Sequence, residues 1–360
     1  MYGLKELQST AIQLLIQLIA IPSFSKYEAE TADLIGSVLD KKHIPYRRKG
    51  NNIWAKNKHW NNGPVILLNS HHDTVKPVAG WHRNPFSPSI ENGKLYGLGS
   101  NDAGASLAAL LAVFFHFYEE ENLPFNLIFL ASAEEEISGQ NGVALVLPEL
   151  GDIAFGIVGE PTQMQMAVAE KGLLVVDAEA KGKAGHAARN DGTNAIYIAL
   201  QDIELLRNFL FEKQSALLGQ VKVSVTQINA GTQHNVVPDT CQFVIDIRTN
   251  EYYSNEAVFT ALQKVTQSKL TARSFRLNSS QIDLNHPLVV SGKNIGITHF
   301  GSPTLSDQAL MNFPTLKIGP GDSARSHTAD EFIYLNEIEN GINIYCNLLD
   351  NLDLTNLKTQ

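Results

Sequence analysis

The chain has 360 residues, enough for two domains of ordinary size with a sizeable core in each. Its 44% hydrophobic and 18% charged residues describe a globular protein, and a net charge of −9 argues against a nucleic acid or an anionic membrane surface as the main partner. Cys241 and Cys346 are the only cysteines and no CxxC pair occurs, which argues against a disulfide framework and fits a reducing interior.

The apolar stretch AIQLLIQLIAIP near the N-terminus resembles a leader only superficially. It contains Gln13 and Gln17, lacks basic residues ahead of it and has no small-residue cleavage pattern. Leu4, Leu7, Ala11, Leu14, Leu15 and Leu18 instead mark one face of an amphipathic helix over about 4–19, ended by Pro22. No stretch approaches the ~20 apolar residues needed to span a bilayer, so a cytoplasmic protein is expected. A second helix follows over about 27–42, then a strand at Asn52–Lys56 and a short apolar run at Val65–Asn69. Such runs mark strands buried on both faces. Residues 103–118 read as a buried helix, and Phe125–Ala131 and Ile153–Val158 as two further buried strands. This alternation predicts an α/β unit, a mostly parallel sheet flanked by helices.

Residues 168–283 carry a different pattern: strand LLVVDAEAKG, helix about 193–212, strands VKVSVTQIN and CQFVIDIR, helix about 255–268 and strand SFRLNSSQ. That β-α-β-β-α-β order is the ferredoxin-like α+β sandwich. After His286-Pro287 the first pattern returns, so residues 168–283 are expected to form a domain inserted between 1–167 and 284–360.

Metal-type ligands cluster where buried strands end. PVILLNSHHD delivers His71 and Asp73, FNLIFLASAEEE delivers Glu135 and Glu136, and IAFGIVGEP delivers Glu160. Asp102 follows the Gly-rich turn GLGSND, and His327 follows TLKIGPGDSARSH. Ligands of open α/β sheets gather at the carboxyl ends of the strands, and two His with several carboxylates there suit a pair of divalent cations, zinc foremost. Within His71-x-Asp73 the two side chains point the same way from an extended segment, so Asp73 is expected to accept the other ring N–H of His71. Asp102 reads equally as a helix N-cap. The run Glu134-Glu135-Glu136 would repel itself unless a cation offset it; one member is expected to bind metal and its neighbour to move a proton. A register one residue earlier, with Glu134 as base and Glu135 as ligand, stays open. No G-x-S-x-G elbow and no HExxH occur, which speaks against a serine hydrolase and a single-zinc protease.

The segments SHHDTV, GLGSND, AEEEISG, VGEPT, GKAGHAARNDGTNA, HNVVPD, DIR and SH-TADEF resemble, in order along nearly the whole chain, the co-catalytic zinc deacylases and exopeptidases. That family includes acetylornithine deacetylase, succinyl-diaminopimelate desuccinylase, aminoacylase and carboxypeptidase G. The resemblance implies a zinc-exopeptidase-like sheet with an inserted lid or dimerisation domain, and a homodimer through that insert. It implies two cations per chain, zinc with cobalt or manganese as alternatives: His71 and Glu160 on one, Glu136 and His327 on the other, and Asp102 bridging. Glu135 matches the general base, Asp73 the carboxylate behind the first ligand, and His186 a residue that assists at the substrate carbonyl. Asn235 and Arg248 match substrate-binding positions. The chain departs from the family where Ala103 and Gly104 replace the usual Met-Lys after the bridging Asp, and where Glu134 replaces the usual Asp before the base.

The expected substrate is therefore a small N-acyl amino acid of arginine biosynthesis, with a desuccinylase or a di- or tripeptidase as the runner-up. A metal- or peptide-binding module that has lost catalysis is the reading from another class.

Overall fold

The computed structural model describes residues 3–355, and the chain divides into two compact units. The first comprises the chain up to Val168, Ile282–Phe300 and the chain from Ser306 onward; the second comprises Ala169–Gln281 and Gly301–Leu305.

Across the sheet of the first unit the strands run Tyr46–Lys49, Asn52–Lys56, Asn126–Ser132, Val65–His71, Phe155–Val158, Thr315–Lys317 and Met166–Glu170. The four from Asn126–Ser132 to Thr315–Lys317 are parallel to one another, while Asn52–Lys56 and Met166–Glu170 flank them antiparallel. Every residue of Asn126–Ser132 is buried, as a strand covered on both faces requires. Its alternation sends Ile128 and Leu130 into a cluster with Trp54, Leu67 and the helix Val143–Leu150. Phe129 points the other way, its ring centroid 6.0 Å from that of Phe114 on the helix Ala105–Phe117. That helix is buried at every position except His116, because the helices Leu4–Ile19 and Leu335–Asp350 pack on it. The N-terminal helix buries Leu7, Ala11, Leu14, Leu15 and Leu18 as its periodicity predicts, while Leu4 at its start is exposed.

The register brings the carboxyl ends of the parallel strands to nearly one level. His71 lies opposite Ser132, and Val158 lies beside both Asn69 and Lys317. Gly319, just past Thr315–Lys317, is needed there. A Cβ at that position would strike Ser106 Oγ and the backbone of Glu160.

The second unit is the ferredoxin-like sandwich. Its antiparallel sheet has the order Lys222–Ala230, Thr240–Thr249, Gly172–Lys181, Lys269–Ala272, with the helices Ala195–Asn208 and Asn255–Gln263. Strand Gly172–Lys181 alternates strictly, burying Leu174, Val176, Ala178 and Ala180 with Phe243, Ile245 and Ile247 in one core. The last strand differs from expectation. It is Lys269–Ala272, whereas most of 274–281 is irregular. In that stretch Asn278 binds Phe275 O and accepts from Asn255 N, and Ser279 Oγ donates to Glu170 O. Such side-chain bonds compete with a strand ladder. Among the described residues no helix is long and apolar enough to cross a membrane.

Leu110, at the middle of the buried helix, is fully inaccessible. Leu110→Ala is expected to cost about 2–5 kcal/mol, read as a lower midpoint in denaturant unfolding; a loss below about 1 kcal/mol would show that the helix is not a principal core element.

Candidate metal centre

Six side chains delivered by the strand ends and two loops meet at one edge of the first unit's sheet. His71 closes its strand, Glu135 and Glu136 form a short 3-10 turn after Asn126–Ser132, and Glu160 follows Phe155–Val158. Asp102 sits in the irregular turn Ser100–Gly104 at the start of the buried helix, where the Asp102–Ala103 peptide is cis, and His327 follows the turn Ser323–Arg325.

The distances divide these groups into two lobes joined by Asp102. His71 Nε2 lies 3.4 Å from Asp102 Oδ1, 3.7 Å from Glu160 Oε1 and 3.9 Å from Glu135 Oε2. His327 Nε2 lies 3.5 Å from the other oxygen of Asp102 and 2.9 Å from Glu136 Oε2. Two sets, His71–Asp102–Glu136 and His71–Glu135–Glu160, each bring their ligand atoms within 4.8 Å of one another. His71 Nε2 is buried with no hydrogen-bond partner, while Nδ1 lies 3.0 Å from the carbonyl of Asp73. An imidazole whose Nδ1 is engaged by a carbonyl and whose Nε2 faces carboxylates is oriented for a cation. The donor set of imidazole and carboxylate suits a divalent metal such as zinc.

A further set of buried carboxylates holds the backbone that bears this cluster. Asp73 was expected to accept from the His71 ring through its side chain; instead its carbonyl takes the closer contact, and Oδ1 stands 3.5 Å away. Its carboxylate accepts from Glu135 N at 3.0 Å, Glu136 N at 3.2 Å and Ser25 Oγ at 2.7 Å. The amides of a tight turn converge on an acceptor more readily than a ring on a neighbouring strand position can. Glu134 faces elsewhere. Its carboxylate accepts from Asn141 N and Nδ2, at 3.2 and 2.9 Å, and its backbone adopts a left-handed φ of 53°. That excludes Glu134 from the cluster and leaves Glu135 and Glu136 facing it. Glu28, Asp307 and Glu331 escaped the sequence reading. Glu28 accepts from Glu134 N at 3.2 Å, Asp307 from Asn69 Nδ2 at 2.9 Å and Ser132 Oγ at 2.6 Å, and Glu331 from three amides of the Asp102 loop. Of these only Glu331 carried a local signal, as the second acidic residue of TADEF, four positions after His327.

His186, Asn235 and Arg248 belong to the second unit. His186 and the segment after Asn235 form the short pair Gly185–His186 with Val236–Val237, and both His186 and Asn235 are exposed. Arg248 is held by Asp246 two residues earlier on the same strand face, Nε to Oδ1 at 2.8 Å and Nη2 to Oδ2 at 3.1 Å.

Comparison with known proteins accords with this architecture. Residues 67–351 match the model of peptidase family M20/M25/M40, and the chain belongs to that family of metal-dependent hydrolases acting on amide bonds. It is 28% identical to a succinyl-diaminopimelate desuccinylase of Xylella fastidiosa over 68% of this chain and 70% of that one. It is 26% identical to the acetylornithine deacetylase of Proteus mirabilis over 96% and 97% of the two chains. Its fold matches that of the YXEP protein of Bacillus subtilis, a dinuclear metal-binding peptidase of the M20 family, with a TM-score of 0.73 and 20% identity over 96% and 98% of the chains.

Burial is the largest influence on the carboxyls and raises Glu135, Glu136 and Glu160, the last to about 8; the imidazoles offset it only in part. For Asp102 burial also acts upward, but the nearby rings of His71 and His327 outweigh it and the group stands below its ordinary value. Burial acts downward on His71, yet Glu135, Asp102, Asp73 and Glu160 together lift it well above the imidazole range. His327, bonded to Glu136, rises to about 9. Without cations the folded protein thus keeps protons that the unfolded chain releases at lower pH, so stability falls as pH rises through these values. The metal-stripped protein is expected to lose Tm steadily from about pH 5 to about pH 9 in calorimetry, with Glu160 and His327 setting the upper part of the window. Added zinc, which replaces those protons, should remove the decline. A Tm that is level or rises over that interval without metal would contradict the proton-held cluster.

Proposed function

We propose that the protein removes the acyl group from a small N-acyl amino acid, with N-acetylornithine or an N-acylcitrulline as substrate and zinc as the metal. The observation that carries this reading is a two-lobed donor set with one further carboxylate, Glu135, 3.9 Å from the His71 ring. The near full-length likeness to an acetylornithine deacetylase supports the choice of substrate. A desuccinylase is the second reading, favoured by the 28% identity to the Xylella fastidiosa enzyme.

In this reading His71, Asp102 and Glu160 hold one cation, and Asp102, Glu136 and His327 the other. When bound, such a pair supplies Lewis acidity toward an amide carbonyl and makes a water molecule acidic near neutrality. Glu135 is the general base, taking a proton from the attacking water and returning it to the departing amine nitrogen. In the absence of cations burial raises its proton affinity. Asp73 keeps the carboxylate in line by holding the Glu135 and Glu136 amides. His186 stabilises the negative charge developing on the carbonyl oxygen, and Asn235 binds substrate. Arg248 takes the substrate carboxylate through Nη1, with Asp246 occupying its other edge.

A homodimer through the second unit belongs to the same proposal. Strand Lys222–Ala230 is an outer strand of its sheet, its far edge paired with no strand among the described residues. Light scattering on the eluting protein should return twice the 39.5 kDa chain mass, and a single-chain mass would remove the dimer from the reading.

Acetylornithine, an acetylcitrulline, succinyl-diaminopimelate and Gly-Gly peptides, each with and without added zinc, form the deciding panel. Cleavage of an acetylated substrate at a rate at least tenfold above the others supports the deacetylase; preference for the succinyl substrate supports the second reading, and no hydrolysis anywhere favours a binding module. On the preferred substrate Glu135→Gln should lower turnover about 10²–10⁴-fold with metal content unchanged. A loss of metal in that variant would make Glu135 a ligand and not the base.

A further inference from the structure

The turn that carries Asp102 makes no regular secondary structure with the strands around it, yet its carboxylate reaches both His71 and His327, at 3.4 and 3.5 Å. Something must hold it between them. Glu331 is nearly inaccessible, 2% exposed, and its carboxylate points back into this turn. Oε1 accepts from Asn101 N at 2.8 Å and from Asp102 N at 3.0 Å, and Oε2 accepts from Gly99 N at 3.1 Å. The Glu331 carbonyl accepts from Gly97 N at 3.0 Å. The strand that follows it, Phe332–Tyr334, pairs with Lys94–Tyr96 immediately upstream of the turn. Residues 94–102 are therefore laced to 331–334 by the strand pairing and by the amides of Gly97, Gly99, Asn101 and Asp102.

The lacing has a second thread. Asn101 Oδ1 accepts from Asp322 N at 2.9 Å, and its Nδ2 donates to Asp322 O at 3.0 Å and to Ser326 Oγ at 3.3 Å. Asp322 and Ser326 flank the turn that leads into His327. The segment from 322 to 331 thus both presents one imidazole and grips the turn that presents the shared carboxylate.

We propose that Glu331 is a positioning residue for the cation pair, fixing the Asp102 carboxylate at the distance from His327 that two metals require. The inference rests on the two-cation reading above. It follows from the acceptor count: the one carboxylate offers two oxygens to three inward N–H groups of the turn. Glu331→Gln would set an amide N–H₂ against at least one of those donors, so the turn would have to move. Glu331→Asp keeps the charge but falls short by one methylene, so it separates reach from charge.

The test loads wild type, Glu331→Gln and Glu331→Asp with cobalt(II) against a chelator buffer, recording the visible d–d bands, with circular dichroism of the metal-stripped proteins as the measure of folding. Both variants are expected to fold, to bind the pair about 10–100-fold more weakly and to show shifted bands. Wild-type affinity and bands in both variants would overturn the inference while leaving the two-cation reading intact. Weakening in Glu331→Gln alone, with Glu331→Asp like wild type, would also overturn it, because a clamp shortened by one methylene would then leave metal binding unchanged. Should Glu331→Gln not fold, Glu331→Asp decides by the same criterion. A wild-type protein that takes up no cobalt would overturn the two-cation reading and this inference with it.

Discussion

Acidic groups packed out of water at one end of a sheet govern this structure. Asp73, Asp102, Glu135, Glu136, Glu160, Asp307 and Glu331 all lie in the first unit with little solvent access, against the imidazoles of His71 and His327. Desolvation opposes charge on each of them, and only bound cations or protons can neutralise the cluster. The upward shifts of Glu135, Glu160 and Glu331 are the record of that conflict.

The acids are not interchangeable, and their backbone partners show why. Asp73, Glu28 and Glu331 accept main-chain amides, which satisfies them locally and holds the turns that bear the other group. Asp102, Glu135, Glu136 and Glu160 instead keep their oxygens toward the imidazoles. Adjacent residues can fall on opposite sides of this division. Glu134 turns to Asn141 because its left-handed backbone directs it away, whereas Glu135 and Glu136, whose amides Asp73 captures, face the cluster. Strand register supplies the coarse placement, bringing His71, Ser132 and Val158 nearly level, and the carboxylate clamps supply the fine one.

Much of the architecture was legible in the chain. Periodicity marks the helix Leu4–Ile19, and unbroken apolar runs mark Asn126–Ser132 and Phe155–Val158, because burial on both faces leaves no room for polar residues. The last strand of the second unit was misread since SFRLNSSQ alternates like a strand, while Asn278 and Ser279 spend their hydrogen bonds on other backbone. The ligand-type residues were visible by their position after strands. The role of Asp73 was not, because its partners sit 62 and 63 residues away in sequence.

By itself the sequence determined the alternation of strands and helices, the ferredoxin-like insertion and the placing of His71, Glu135, Glu136 and Glu160 at strand ends, since hydrophobic period and strand length are local properties. Tertiary structure alone decided which oxygen faces which ring, that Glu134 leaves the cluster, and that Glu331 grips a turn some 230 residues distant. Those choices depend on hydrogen-bond geometry between segments remote in the chain, and no local pattern encodes them.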